Sequence, residues 1–109
     1  MYQYTTPSIE LLVKGVDISA HHIFATVEQK DASLTKDGDD LTVEVIPTDD
    51  GSNTKVSFEL TQTESAKFNF NSWAEVQVNW ITAAGKRKAT EIKKIPVMKN
   101  LLNEVVSYD

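Results

Sequence analysis

In the stretch Trp73-Ala-Glu-Val-Gln-Val-Asn-Trp-Ile81, apolar and polar residues take strict turns. Ala74, Val76, Val78 and Trp80 fall on one side of an extended chain, and Glu75, Gln77 and Asn79 on the other. Side chains along a strand project to opposite faces with a period of two, so this is a strand with one dry and one wet face. The connection Thr82-Ala-Ala-Gly85-Lys86 follows, and then a second extended run from Arg87 to Val97. A five-residue, glycine-containing link between two such runs predicts a β-hairpin.

The same period recurs upstream. Ile9, Leu11 and Val13 alternate and are punctuated by Gly15 and Asp17, and a second run spans His22–Gln29. Ala32–Lys36, around Leu34, predicts a short edge strand, and Asp37-Gly-Asp-Asp40 is a turn, where glycine accepts positive φ and aspartate bonds local backbone. Leu41, Val43 and Val45 form another apolar face, ended by Pro47, which lacks a donor. After the polar loop Thr48–Asn53, Val56, Phe58 and Leu60 return on an inner face. Val43, Phe58, Val76, Val78 and Trp80 are the expected centre of the core.

Between Leu60 and Trp73 the period changes. Thr61 stands three residues before Glu64, the spacing of a capping box, so one or two helical turns should start there. Phe68 and Phe70 are expected to plug the end of the core. The tail carries apolar residues at 101, 102, 105 and 106, which fits either a short amphipathic helix or an irregular segment laid on the domain. Strands of four to nine residues, with turn signals every ~8–12, predict an all-β chain. The expected fold is an immunoglobulin-like antiparallel β-sandwich of about seven strands with one short helical turn. A single domain covers 1–109, and a small open barrel is the alternative.

Composition narrows the function. The chain has 109 residues, 40% of them hydrophobic and 25% charged, as in ordinary globular domains. It has no cysteine, hence neither disulfides nor thiolate chemistry. A net charge of −5 disfavours nucleic acid and anionic membrane as partners. Lys86-Arg87-Lys88 is a basic cluster at a hairpin tip, where solvated charge is the ordinary state. The start, Met1 to Pro7, has neither the basic nor the apolar region of a signal peptide, and no run reaches the ~18 apolar residues of a membrane span.

No catalytic arrangement is expected. His21 and His22 are neighbours that would face opposite ways in an extended segment, short of the three or four ligands of a zinc site. Asp37, Asp39, Asp40, Asp49 and Asp50 lack the spacing of an EF-hand, although two such loops meeting at one end of a sandwich would share a calcium ion. Glu10, Glu28, Glu44, Glu59, Glu75 and Glu91 each lie between apolar strand neighbours, the pattern of a wet face. No Gly-x-Ser-x-Gly elbow or phosphate loop occurs. The chain is therefore read as a non-enzyme without cofactor or metal. Phe24 and Ile81 fall out of phase with their strands' inner faces. Tyr2 and Tyr4 lie in an N-terminal arm, and Leu101, Leu102, Val105 and Tyr108 in the tail. These eight are the expected partner contacts.

From Leu60-Thr-Gln-Thr-Glu64 through Ala74-Glu-Val-Gln-Val-Asn-Trp80, the Gly85-Lys86 turn, Ala89-Thr-Glu-Ile92 and Ile95-Pro-Val97, the chain resembles a phage and prophage module. It is similar to the immunoglobulin-like N-terminal domain of phage baseplate upper proteins and related tail-associated proteins, over residues 56–106. The resemblance implies a structural protein that assembles with other virion proteins or with copies of itself. It also implies host cytoplasm on synthesis and the virion afterwards. Baseplate proteins continue into further domains where this chain ends at Asp109, so no receptor-binding role is carried over. A carbohydrate- or calcium-binding sandwich is the alternative.

Overall fold

A computed structural model describes residues 1–108. Its strands are β1 (Ser8–Val13), β2 (His22–Gln29), β3 (Ala32–Asp37), β4 (Thr42–Thr48), β5 (Gly51–Glu59), β6 (Trp73–Ile81), β7 (Arg87–Ala89) and β8 (Lys93–Pro96). A 3-10 turn, Gly38–Asp40, joins β3 to β4, and one helix, α1 (Gln62–Ala66), joins β5 to β6. All strand pairings are antiparallel. One sheet has the order β1-β5-β4, the other β3-β2-β6, with β7 and β8 both paired to β6. Two such sheets, with this hand-over of strands between them, form the immunoglobulin-like sandwich that the alternation predicts.

The core is the sum of the inner faces. Ile9, Leu11 and Val13 face Phe58, Val56 and Thr54 in register, and Ile23, Ala25 and Val27 face Trp80, Val78 and Val76 in the other sheet. All twelve are buried. Ile18, in the β1–β2 connection, is also fully buried, although nothing in its local pattern marks it. Its amide donates to Thr54 Oγ1 at 3.1 Å, and that hydroxyl donates to the Val16 carbonyl at 2.8 Å. A buried loop must satisfy its backbone, and Thr54 does so from the facing strand.

Several expectations are corrected. Val43 is not central: it is 36% exposed, and Val45 is 37% exposed. Both share the inner face with Val56 and Thr54, but β4 is an edge strand that the second sheet does not cover. The loop expected over Thr48–Asn53 shrinks to the two residues Asp49-Asp50, because β4 and β5 continue pairing to Thr48 and Gly51. Ala32–Lys36 does form a strand, one residue longer than expected.

The return of the last hairpin splits in two, which gives eight strands instead of seven. Between the pairs Asn79–Ala89 and Val76–Lys93, β6 has two residues and its partner three, a β-bulge. Thr90 holds it: its amide donates to Val78 O at 2.9 Å, and its Oγ1 accepts from Val78 N at 3.1 Å. Glu91 thus lies in a bulge rather than a strand, and Ile92 is pushed outward. Phe68 plugs the core as expected, but Phe70 is 40% exposed. The tail after β8 is irregular rather than helical.

Candidate functional site

The eight expected contact residues fall into two places. The outward phase of β2 and β6 sets Phe24 opposite Asn79 and His22 opposite Ile81, so Phe24 and Ile81 line one open depression of about 510 Å³ on the outer face of the larger sheet. The His22 and Phe24 rings lie 4.3 Å apart, His22 Nε2 is 3.3 Å from Asp37 Oδ2, and Arg87 Nε donates to Asn79 Oδ1 at 3.2 Å. The depression is shallow, and its polar groups bond one another.

The other six residues gather at the far end of β6, some 25 Å away for eight strand steps of ~3.3 Å. There α1 is the hub. Thr61 Oγ1 accepts from Glu64 N, and Glu64 Oε1 accepts from Thr61 N, which completes the expected capping box. Glu64 also receives Lys36 Nζ from β3, at 2.9 and 2.8 Å to its two carboxylate oxygens. Partial burial pushes the Glu64 carboxyl up, and the bonds from Lys36 and Thr61 outweigh it, so the group is held below the usual carboxylate range. Gln62 pairs with the tail in both directions: Nε2 donates to Val106 O at 2.8 Å and Oε1 accepts from Val106 N at 2.9 Å. Buried Ser65 takes the N-terminal arm, accepting from Thr5 N and donating to Thr5 O.

The arm is therefore clamped, not free. Gln3 Nε2 reaches the Phe68 carbonyl at 2.6 Å, Tyr2 bridges to Met98 as a parallel pair, and Asn100 Nδ2 donates to Gln3 O. Tyr4 adopts φ of 59°, the left-handed region that a bulky residue avoids, and its ring is half-buried. Tyr2 projects.

This clamping lays an apolar surface open. Leu101 is 91% exposed and Tyr108 fully so, with Leu102, Val105 and Val106 each near half. Three exposed residues outside the eight expected contacts, Trp73, Phe70 and Met98, join them. Trp73 is 58% exposed and sits opposite Pro96, two residues before Met98, and Lys99 Nζ lies 5.7 Å over the Phe70 ring. The alternation of β6 places Trp73 on the same side as Glu75, and that was the available signal. Phe70 and Met98 have no such signal, since both lie outside regular structure.

Asp39 and Asp40 precede β4 and Asp49 and Asp50 follow it, so these loops sit at opposite ends of a strand about 20 Å long and do not meet. Among the described residues, no group of three or more His, Asp or Glu is placed to hold a metal ion. Among the same residues, no helix is long and apolar enough to cross a membrane. What fold and surface define is a class: a β-sandwich with an exposed apolar end. Comparison of the chain with protein-family models, curated proteins and solved structures gives no match.

Proposed function

We propose that this protein is a non-enzymatic assembly module that docks on a neighbouring subunit through its terminal surface. The observation that carries it is the exposure of Tyr2, Trp73, Met98, Leu101, Leu102, Val105 and Tyr108, on the arm, the start of β6 and the tail, which meet at one end of the sandwich. Isolated exposed apolar residues are ordinary, but a collected set on ordered backbone marks a contact surface. The likeness of residues 56–106 to the phage baseplate module supports the same reading, with other virion proteins as neighbours. Tail residues already held by Gln62 and Asn100 lose little conformational freedom on docking, which favours affinity.

The test is co-expression with the proteins encoded on either side of its gene, followed by light scattering. A complex is expected, and Leu101→Ser/Val105→Ser/Tyr108→Ser should abolish it with melting unchanged. Binding that survives the triple substitution, or no association with any neighbour or with itself, overturns the reading.

A second reading is favoured by the depression at Phe24. An aromatic ring flanked by His22, Asn79 and Arg87 suits a sugar, which stacks on rings and bonds planar polar groups. Calorimetry against a glycan panel, repeated with Phe24→Ala, decides it; heat that disappears in the variant would favour this site.

A further inference from the structure

The sandwich has two open flanks, and they carry opposite charge. The 3-10 turn at Gly38–Asp40 keeps β3 and β4 on one flank. On the other, Lys93 Nζ reaches the Glu10 carbonyl at 3.4 Å, which sets β8 beside β1. Between residues 30 and 50 there are seven acids (Asp31, Asp37, Asp39, Asp40, Glu44, Asp49, Asp50) against Lys30 and Lys36. Between residues 86 and 96 there are five basic residues (Lys86, Arg87, Lys88, Lys93, Lys94) against Glu91. Glu10 on β1 and Glu75 on β6, opposite Lys94, stand beside them, so this edge of a chain of net charge −5 is positive on balance.

Little of this charge is matched within the molecule. Lys36 turns to Glu64 on α1, away from the aspartates around it, while Asp37 meets His22 and Glu44 meets Lys55. Among the described residues, none of the five basic side chains on the other flank forms an ion pair. Both flanks end in edge strands whose outer backbone groups face solvent, and β4 adds the bared rims of Val43 and Val45. Unpaired edges are templates for association unless they are blunted. Here Pro47 and Pro96 blunt only the ends of β4 and β8.

We propose that copies of this chain associate head to tail, the acidic β3–β4 flank of one copy against the basic β7–β8 flank of the next. A second copy is the occupant that fits both edges at once: each flank of one molecule is the electrostatic complement of the other flank of its neighbour. A long polyanion suits the basic flank less well, because the acidic flank lies only about three strand spacings, or ~14 Å, away across the sheet. Two different surfaces meet in this contact, so it is heterologous. It closes into a ring if the rotation between copies permits, and otherwise runs on as a filament. The inference rests on the reading of the domain as an assembly module, but it uses a surface separate from the terminal one.

The experiment is sedimentation of the whole chain at about 0.01 M chloride, where charges act over roughly 30 Å, and at about 1 M, where they act over roughly 3 Å. The intact chain should form species larger than the 12.2 kDa monomer at low salt and return to monomer at high salt. Asp39→Lys/Asp40→Lys/Asp50→Lys and Lys86→Glu/Lys88→Glu/Lys94→Glu should each be monomeric, with association weakened on the order of 100-fold. Their equimolar mixture should assemble again. Melting curves of both variants establish that they fold. A monomer at low salt, assembly that survives either reversal, or a labelled single-stranded DNA that binds the basic flank more tightly than the second copy would each overturn it. The Leu101→Ser/Val105→Ser/Tyr108→Ser variant keeps the two readings apart. If it alone abolishes self-association, the flank contact fails and terminal docking stands; if it leaves the salt-sensitive species intact, the flank contact stands without it.

Discussion

Thr54 and Glu64 each serve two partners, and each can be tested by a change that keeps the shape. Thr54 lies fully buried in β5, and its hydroxyl satisfies Ile18 N and Val16 O together. Thr54→Val keeps the volume but orphans a donor and an acceptor in the dry interior, a loss of about 2–3 kcal/mol. Thr54→Ser, which keeps both bonds and sheds a methyl group, should lose about 1 kcal/mol. Thermal unfolding of the pair checks the order; equal losses would sink the hydrogen-bond account. Glu64 has a folded pKa held below its unfolded value. Its contribution is therefore present above the unfolded value of about 4.3 and is lost as pH falls through the lower, folded value. Glu64→Gln still accepts from Thr61 N but leaves Lys36, whose side chain is only 16% exposed, without its anion. The variant should be about 1–2 kcal/mol less stable at pH 7, with the gap to the natural chain closing below pH ~4. A gap that does not change with pH would remove the ion pair from the account.

β4 is where strand pattern and strand position part company. Leu41 just before it and its Val43 and Val45 alternate as cleanly as Val76, Val78 and Trp80 do in β6, yet Val43 and Val45 stay more than one-third exposed. Val56→Ala, opposite Val43 on β5, should cost about 2–3 kcal/mol, and Val43→Ala less than about 1 kcal/mol. Denaturant midpoints of the two variants measure the contrast directly, and equal costs would mean that β4 is covered. The lesson for reading the sequence is physical. Alternation is a local property, so it located β1, β2, β5 and β6 and their inner residues, as the equally local Thr61–Glu64 spacing located the capping box of α1. Edge position is set by which strands lie beside β4 in the finished sheet, and no local pattern carries that. The bulge at Thr90 was hidden for a similar reason, since it exists only in the register between two strands. The terminal surface was half legible. Leu101, Leu102, Val105 and Tyr108 are conspicuous in a polar tail, and Trp73 could be read from its phase. The clamps, Gln62 on the tail and Ser65 on the N-terminal arm, depend on contacts across 44 and 60 residues of chain.

Across the molecule, the segregation of charge has two consequences of opposite sign. Within a flank, like charges stand a few ångströms apart on neighbouring residues, as at Asp39-Asp40, Asp49-Asp50 and Lys86-Arg87-Lys88. Between flanks, the opposite charges are separated by the width of the sheet, ~14 Å between the backbones of β3 and β8 and more at the side-chain tips. At physiological salt the screening length is about 8 Å, so repulsion within each flank outlasts attraction across the body. Neighbours in sequence stay close in the unfolded chain too, so what unfolding relieves is the mutual repulsion of the net charge of −5 that the fold confines. Added chloride should raise the melting temperature of the monomer by a few degrees between about 0.01 and 1 M, on the order of 1 kcal/mol. Chloride is the right salt because sulfate strengthens apolar burial by exclusion and would mask the effect. The same change in salt should dissolve any contact between an acidic and a basic flank. Measured on the intact chain, diluted until it is monomeric at low salt, the melting response isolates the balance of charge within one molecule. A melting temperature that falls with chloride under those conditions would show that attraction across the sandwich dominates, and the flanks would then be satisfied within one copy instead of between two.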